Sequence, residues 1–124
     1  VSADSLLLDS NIIVHVFQGH RALAEQLEGK VLCISVVTRM ELYAWPGRDG
    51  GRTAWLDEFL KECVLFELDR SIQDLTIDLK KRFKLPLADT IIAATAIQKD
   101  LPLLTADKDF KRFDAVAKII LIEP

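Results

Sequence analysis

Cysteine, histidine, tyrosine and methionine are scarce in this 124-residue chain, at two, two, one and one. The two cysteines, Cys33 and Cys63, lie in apolar stretches (VLCIS and KECVLF). They are too few for a disulfide-stapled fold or a zinc site, and neither His15 nor His20 stands at a zinc-ligand spacing from them. They read as buried free thiols, as expected of a cytoplasmic protein. Long apolar runs are also missing: none approaches the ~18 residues of a membrane span, so no membrane partner is expected. No G-x-S-x-G is present and neither histidine has an evident Ser or Cys partner, which argues against a covalent nucleophile. An excess of positive charge is missing too. Net charge is −3 and the isoelectric point is about 5.3, so any nucleic-acid role must rest on a local site. There are no repeats or Pro/Ser-rich linkers, and the opening VSADS has no basic segment, so no leader is expected.

What remains is a length suited to one domain, residues 1–124, with a sizeable core. Short apolar runs fit buried strands at Ser5–Asp9 (SLLLD), Val31–Ser35 (VLCIS), Val64–Leu68 (VLFEL), Leu101–Thr105 (LPLLT) and Lys118–Ile122 (KIILI). Between them helical patterns run over Asn11–Phe17, Arg21–Leu27, Val36–Trp45, Arg52–Cys63, Ile72–Phe83 and Ala88–Gln98, with a short helical piece at Lys108–Phe113. PGRDGG is the clearest loop. Strands that are apolar on both faces and alternate with helices predict an α/β fold: a parallel sheet covered on both sides. Ligands of such folds bind at the carboxyl ends of the strands, where the strand order reverses.

Acids stand at those ends. Asp9 closes the first strand, and Asp107 and Asp109 follow the fourth by two and four residues. Glu41 and Asp89 sit in early turns of helices, the second helix otherwise nearly all core. Each has a plain structural explanation. Asp9, Asp89 and Asp107 could cap or face helix N-termini, and Glu41 could complete a capping box with Thr38. Together they are harder to explain, because a pair of carboxylates about 4 Å apart costs on the order of 4 kcal/mol at an effective dielectric of 20. Such a group needs a counter-charge. Arg39 is one candidate and a divalent cation is the simpler one. Oxygen ligands without His or Cys suit Mg²⁺ or Mn²⁺, the usual apparatus of phosphodiester hydrolysis.

Four segments carry a family resemblance: LLLDSNIIV, SVVTRMELYAW, KLPLADTIIAATAI and LLTADKDFKRF. In this order they resemble the motifs of the PIN domain and, more narrowly, the VapC-type toxins of prokaryotic toxin–antitoxin pairs. The resemblance runs from Leu6 to about Phe113. Any one motif is weak, but four in sequence are specific. It implies a three-layer α/β/α domain with a five-stranded parallel sheet, a Mg²⁺- or Mn²⁺-dependent endoribonuclease, a cognate antitoxin that blocks the site, and a homodimer. By position, Asp9, Glu41, Asp89 and Asp107 would be catalytic and metal-binding, with Asp109 a helper to Asp107 or its alternative. Ser10, Asn11 and Thr105 would support the acids, Ser10 standing where many members carry Thr.

Basic residues flank these motifs. Lys80, Lys81, Arg82 and Lys84 lead to Asp89, and Lys108, Lys111 and Arg112 follow Asp107. Arg39, Lys84 and Lys108 are the expected substrate contacts, although a solvated helix face explains these runs equally well. Trp45 could stack on a base or pack an antitoxin helix, and core packing or a dimer contact explains it at least as well. A phosphoacceptor receiver fits poorly: it needs paired acids after its first strand, an acceptor aspartate after its third and a lysine after its fifth, whereas here the third strand ends in LDR and the fifth near Pro124. A DxD phosphatase fits poorly as well, since the first strand leads into Asp9, Ser10 and Asn11. A catalytically silent PIN-like module that binds RNA or protein is the remaining alternative.

Overall fold

The first strand, β1 (Ser5–Leu8), has solvent on neither face: Leu7 and Leu8 are both 0% exposed. Successive strand residues point to opposite sides, so two adjacent buried leucines require a covering layer on each side. The same alternation holds for Cys33 and Ile34 of β2 (Val31–Ser35) and for Leu103 and Leu104 of β4 (Leu103–Thr105). Leu7, Cys33 and Leu103 join one apolar cluster, and Leu8, Ile34 and Leu104 join the other. The structure, a computed structural model, describes residues 4–123. The leader reading of VSADS therefore lies mostly outside the described residues.

Two further strands, β3 (Val64–Phe66) and β5 (Ile119–Leu121), complete a five-stranded sheet of order β3-β2-β1-β4-β5. Every pairing is parallel, with Leu7 opposite both Cys33 and Leu103. Helices α1 (Ser10–Phe17), α2 (Arg21–Leu27) and α4 (Arg52–Lys61) cover the Leu8 face. Helices α5 (Arg70–Arg82) and α6 (Leu87–Gln98) and a 3-10 helix (Lys108–Phe113) cover the Leu7 face. The α3 helix (Val36–Tyr43) places Val37 in one cluster and Leu42 in the other. The expected three-layer α/β/α architecture is thus present. The α6 helix is buried without interruption from Thr90 to Ala96 because α5, α3, β2 and the 3-10 helix surround it. Its two buried threonine hydroxyls donate to carbonyls one turn back, Thr90 to Pro86 at 2.9 Å and Thr95 to Ile91 at 2.8 Å.

Element ends differ from the sequence expectation for local reasons. β4 starts at Leu103 because Pro102 has no N–H to give a ladder. β3 stops at Phe66, on the sheet edge. α3 stops at Tyr43 because the Trp45 and Pro46 carbonyls turn to the Arg52 guanidinium, at 2.6 and 3.4 Å. That arginine is 9% exposed and lies over the Trp45 ring. Gly51, at φ 83°, takes the left-handed cap of α4 that a side chain would strain. Cys33 and Cys63 are free; the first belongs to one apolar cluster and the second packs on the other, on opposite sides of the sheet.

Candidate active site

β1 pairs with β2 on one side and β4 on the other, so the chain order reverses between β1 and β4. Asp9 leaves β1 at that crevice and is 5% exposed. As N-cap of α1 it accepts from the Ser10 N–H at 2.9 Å through Oδ1. Its Oδ2 accepts from the Thr105 hydroxyl at 2.7 Å and the Asn11 amide at 3.1 Å. Thr105, at the end of β4, also accepts from the Asp107 N–H at 3.0 Å. Asn11 in turn accepts from the Ala106 N–H at 3.1 Å. The ends of β1 and β4 are therefore tied by two side chains, and the tie aims Asp9 and sets the turn that carries Asp107. Asp107 caps the 3-10 helix by accepting from the Asp109 N–H at 2.9 Å. The cap expected of Asp9 and Asp107 is real, and both acids stand at the crevice as well.

Glu41 and Asp89 arrive from the helix layers. Burial pushes the Asp89 carboxyl up to about 6, helped by the negative charges of Asp9, Asp107 and Asp109. The protein crowded around Glu41 raises its carboxyl, and so do Asp9 and Asp89, while a hydrogen bond with the Ser10 side chain acts the other way. Burial raises Asp9 too, against the hydrogen bonds from Thr105, Ser10 and Asn11 and together with repulsion from Asp107. These mutual effects place all five acids in one electrostatic neighbourhood. Lysine and arginine do not neutralise it. The ion pairs among the described residues are Lys30–Asp4, Lys61–Glu58 and Lys111–Asp114.

The structure corrects some of the local expectations and adds detail to others. The Ser35 hydroxyl caps α3, accepting from the Val37 N–H at 3.1 Å, so Thr38 and Glu41 form no capping box. The Thr38 hydroxyl is 0% exposed and has no partner among the described residues. Asp89 lies in the first turn of α6 but, among the described residues, accepts no capping hydrogen bond. Arg39 is not the counter-charge: it is exposed, and its guanidinium lies over the Tyr43 ring, 5.0 Å from the centroid. Lys84 and Lys108 are exposed, and Lys80 is drawn to the Leu85 carbonyl at 2.6 Å. Trp45 packs edge-on against Phe17 at 5.9 Å. Sequence reading did not foresee the Asn11–Ala106 clamp, which joins residues 95 apart and leaves no local signal.

A divalent cation suits the donor chemistry: oxygen ligands, partly desolvated, repelling one another and lacking a cation. Yet among the described residues no group of three or more acids, histidines or cysteines is close enough to hold an ion as it stands.

Comparison with known proteins bears on the same region. The family model of the PIN domain matches residues 6–116. No curated protein matches the sequence. Among solved structures, the chain is similar to a chain of VapBC2 from Rickettsia felis bound to a promoter DNA fragment, with TM-score 0.84 and 21% identity over 96% of this chain and 99% of that one. It is similar to a chain of a toxin–antitoxin complex from Klebsiella pneumoniae, with TM-score 0.77 and 26% identity over 93% and 95%. It is also similar to a chain of VapBC-5 from Mycobacterium tuberculosis, with TM-score 0.72 and 23% identity over 98% and 99%. The family pattern spans both acid-bearing strand ends and the helices between them: this chain belongs to the PIN domain family.

Proposed function

We propose that the chain is an endoribonuclease that hydrolyses RNA phosphodiester bonds with Mg²⁺ or Mn²⁺ and serves as the toxin of a toxin–antitoxin pair. One observation carries the reading. Asp9 is buried at the switch point of a parallel sheet, held by three hydrogen bonds, amid four other acids and with no cation paired to it among the described residues. A structural role does not need that arrangement, and it costs stability.

Asp9, Asp89 and Asp107 would hold the ion together with Glu41, with Asp109 beside or in place of Asp107. A bound divalent ion supplies charge stabilisation to the phosphate and lowers the pKa of an attacking water. The protein's own part is positioning. Thr105, Ser10 and Asn11 fix the rotamer of Asp9, and Thr105 fixes the Asp107 turn. Glu41, exposed to solvent, would complete that ligand set or orient the attacking water.

Complexes of toxin with antitoxin among the similar structures support an antitoxin partner. Met40 and Leu87, 54% and 58% exposed, adjoin Glu41 and Asp89 and offer apolar surface to a partner or to a second copy of the chain. Free Cys33 and Cys63, with no helix of the described residues long and apolar enough to cross a membrane, support a place in the reducing cytoplasm.

The open spacing of the acids favours a second reading, a catalytically silent PIN-domain module that binds RNA or protein. Incubating purified protein with a mixed RNA pool in Mg²⁺, in Mn²⁺ and in EDTA separates the two. The nuclease cuts with metal, stops in EDTA and stops in Asp9→Asn. A silent module leaves the pool intact in every lane and shows no metal binding by calorimetry.

A further inference from the structure

The two basic runs of the sequence, at 80–84 and 108–112, lie 24 or more residues apart, and the fold brings them together. Phe83, at the end of α5, packs on Phe113, at the end of the 3-10 helix, with ring centroids 5.1 Å apart. The Arg82 guanidinium lies over the Phe83 ring, 5.3 Å from its centroid. The same 3-10 helix packs on α6, whose first turn carries Asp89. An aromatic pair thus seats one basic segment beside the other; the first leads to the turn that carries Asp89 and the second follows the turn that carries Asp107.

Not every cation there is available. Lys80 is held by the Leu85 carbonyl, and Lys111 pairs with Asp114 at 3.6 Å. Lys81, Arg82, Lys84, Lys108 and Arg112 are exposed, and none takes part in the ion pairs among the described residues. In a chain of net charge −3 this concentration is against the average. The neighbouring acids are Asp78 on α5 and Asp107, Asp109 and Asp114 around the 3-10 helix, of which Asp107 and Asp109 belong to the acid neighbourhood of the crevice.

We propose that Lys81, Arg82, Lys84, Lys108 and Arg112 form one docking surface for the phosphate backbone of a single nucleic-acid strand, holding it beside the acids of the crevice. The inference rests on the nuclease reading for its direction, since a strand to be cut must be drawn to a pocket that itself repels phosphate. Five cations on two segments set the scale. Each phosphate neutralised on a single strand contributes about 0.7 to the slope of log affinity against log salt.

The test is binding of a fluorescent single-stranded RNA oligonucleotide to the full chain in EDTA, so that nothing is cut, across a range of salt. Lys81→Gln/Arg82→Gln/Lys84→Gln should weaken binding at least tenfold at low salt and reduce the slope by about 2. Lys30→Gln/Lys118→Gln removes exposed cations that precede β2 and β5, at the opposite end of the sheet, and should leave both unchanged. Circular dichroism and the urea midpoint confirm that each variant is folded. Equal losses in both sets, or a loss in neither, overturn the proposal. So does a polyglutamate peptide that binds the same residues as tightly as RNA does, because the surface then serves an acidic partner. A DNA strand of the same sequence, run in parallel, tells whether backbone charge alone suffices or the ribose is also read. If wild type binds RNA through these residues but never cuts it with Mg²⁺ or Mn²⁺, the nuclease reading fails and the surface stands. If wild type cuts and the triple variant cuts with unchanged kcat/KM, the surface fails and the nuclease stands.

Discussion

The two ends of β1 differ by four residues of chain and by nearly everything in their chemistry. At the amino end, Ser5 lines a cavity of about 380 Å³ with Pro102, Ala117 and Lys118 among its walls. At the carboxyl end, Asp9 sits with Glu41 and Asp89, and burial and neighbouring negative charges drive these three carboxyls up. Volume points to one end and chemistry to the other. A cavity is evidence of function when convergent polar groups with perturbed ionisation come with it. Here the perturbed carboxyls converge at the end opposite the cavity. The sheet explains the asymmetry. All strands run the same way, so each carboxyl end delivers its following residue and helix N-terminus to the same edge.

The sharpest way to break this comparison is to alter each end once. Asp9→Asn keeps the shape while removing the charge and one of the two acceptor oxygens, and should lower kcat/KM for RNA cleavage by about 10³-fold or more. Ala117→Leu fills part of the amino-end cavity and should leave kcat/KM within about twofold. Initial rates on one labelled RNA, taken for both variants at equal Mg²⁺, decide it. If Ala117→Leu is the crippling change, the functional end has been misassigned.

Next in size is Thr105→Val, which keeps the shape of a fully buried side chain and deletes one hydroxyl. That hydroxyl donates to Asp9 and accepts from the Asp107 N–H. Losing both bonds should cost about 1–3 kcal/mol of stability by urea unfolding, because a buried acceptor and a backbone donor lose their partner. Activity should fall about 10–100-fold, as for other groups that orient metal-binding side chains. Thr105→Ser should recover most of both. A variant that loses stability but not rate would make Thr105 purely structural.

Asp89 carries the pH dependence. Its folded pKa of about 6 lies above the ordinary aspartate value of 3.8, so between those values the folded state binds more protons than the unfolded state. Stability of the metal-free protein should therefore rise as pH falls from 7.5 toward 5, and level off below about 4. Asp89→Asn should reduce this rise, leaving the part that Asp9 and Glu41 contribute in the same direction. The shift corresponds to at most about 3 kcal/mol. Solvent screening reduces it, and the loss of a favourable charge at the N-terminus of α6 opposes it by about 0.3–1 kcal/mol. A net gain of about 1 kcal/mol at pH 7.5, absent at pH 4, is expected from urea midpoints in EDTA. An equal effect at both pH values would show that charge is not its source.

How much of this the sequence revealed follows from the range of each signal. Leu7–Leu8 and Leu103–Leu104 announce strands buried on both faces, since the period of two is local. The acids at strand exits were visible because each follows its own apolar run. The hydrogen bonds that make Asp9 a directed group were not: Thr105 lies 96 residues away and Ala106 is fixed by Asn11 across the sheet. Only the family resemblance suggested those side chains. The Thr38–Glu41 spacing suggested a capping box, but Ser35 stands closer to the helix start and took the cap. Arg52 read as one residue of an amphipathic helix, yet it is buried and neutralised by carbonyls and a ring, partners that a charge pattern does not show.

The smallest expected effect separates two threonines at the same end of the sheet. Thr105 and Thr38 are both 0% exposed; the first hydroxyl is bonded on both sides and the second has no partner among the described residues. Thr38 lies one turn before Glu41, its side chain shut among α3 and its neighbours. A buried hydroxyl without a partner carries a desolvation cost that a methyl does not. Thr38→Val, nearly the same in volume and equally β-branched, should therefore raise stability by about 0.5–1 kcal/mol, where the same exchange at Thr105 lowers it. Urea midpoints of the two variants, measured in parallel without metal, should move in opposite directions. Movement in the same direction would mean that Thr38 holds an ordered water toward Glu41. Cleavage would then fall with it, making the hydroxyl part of the site instead of a flaw in the core.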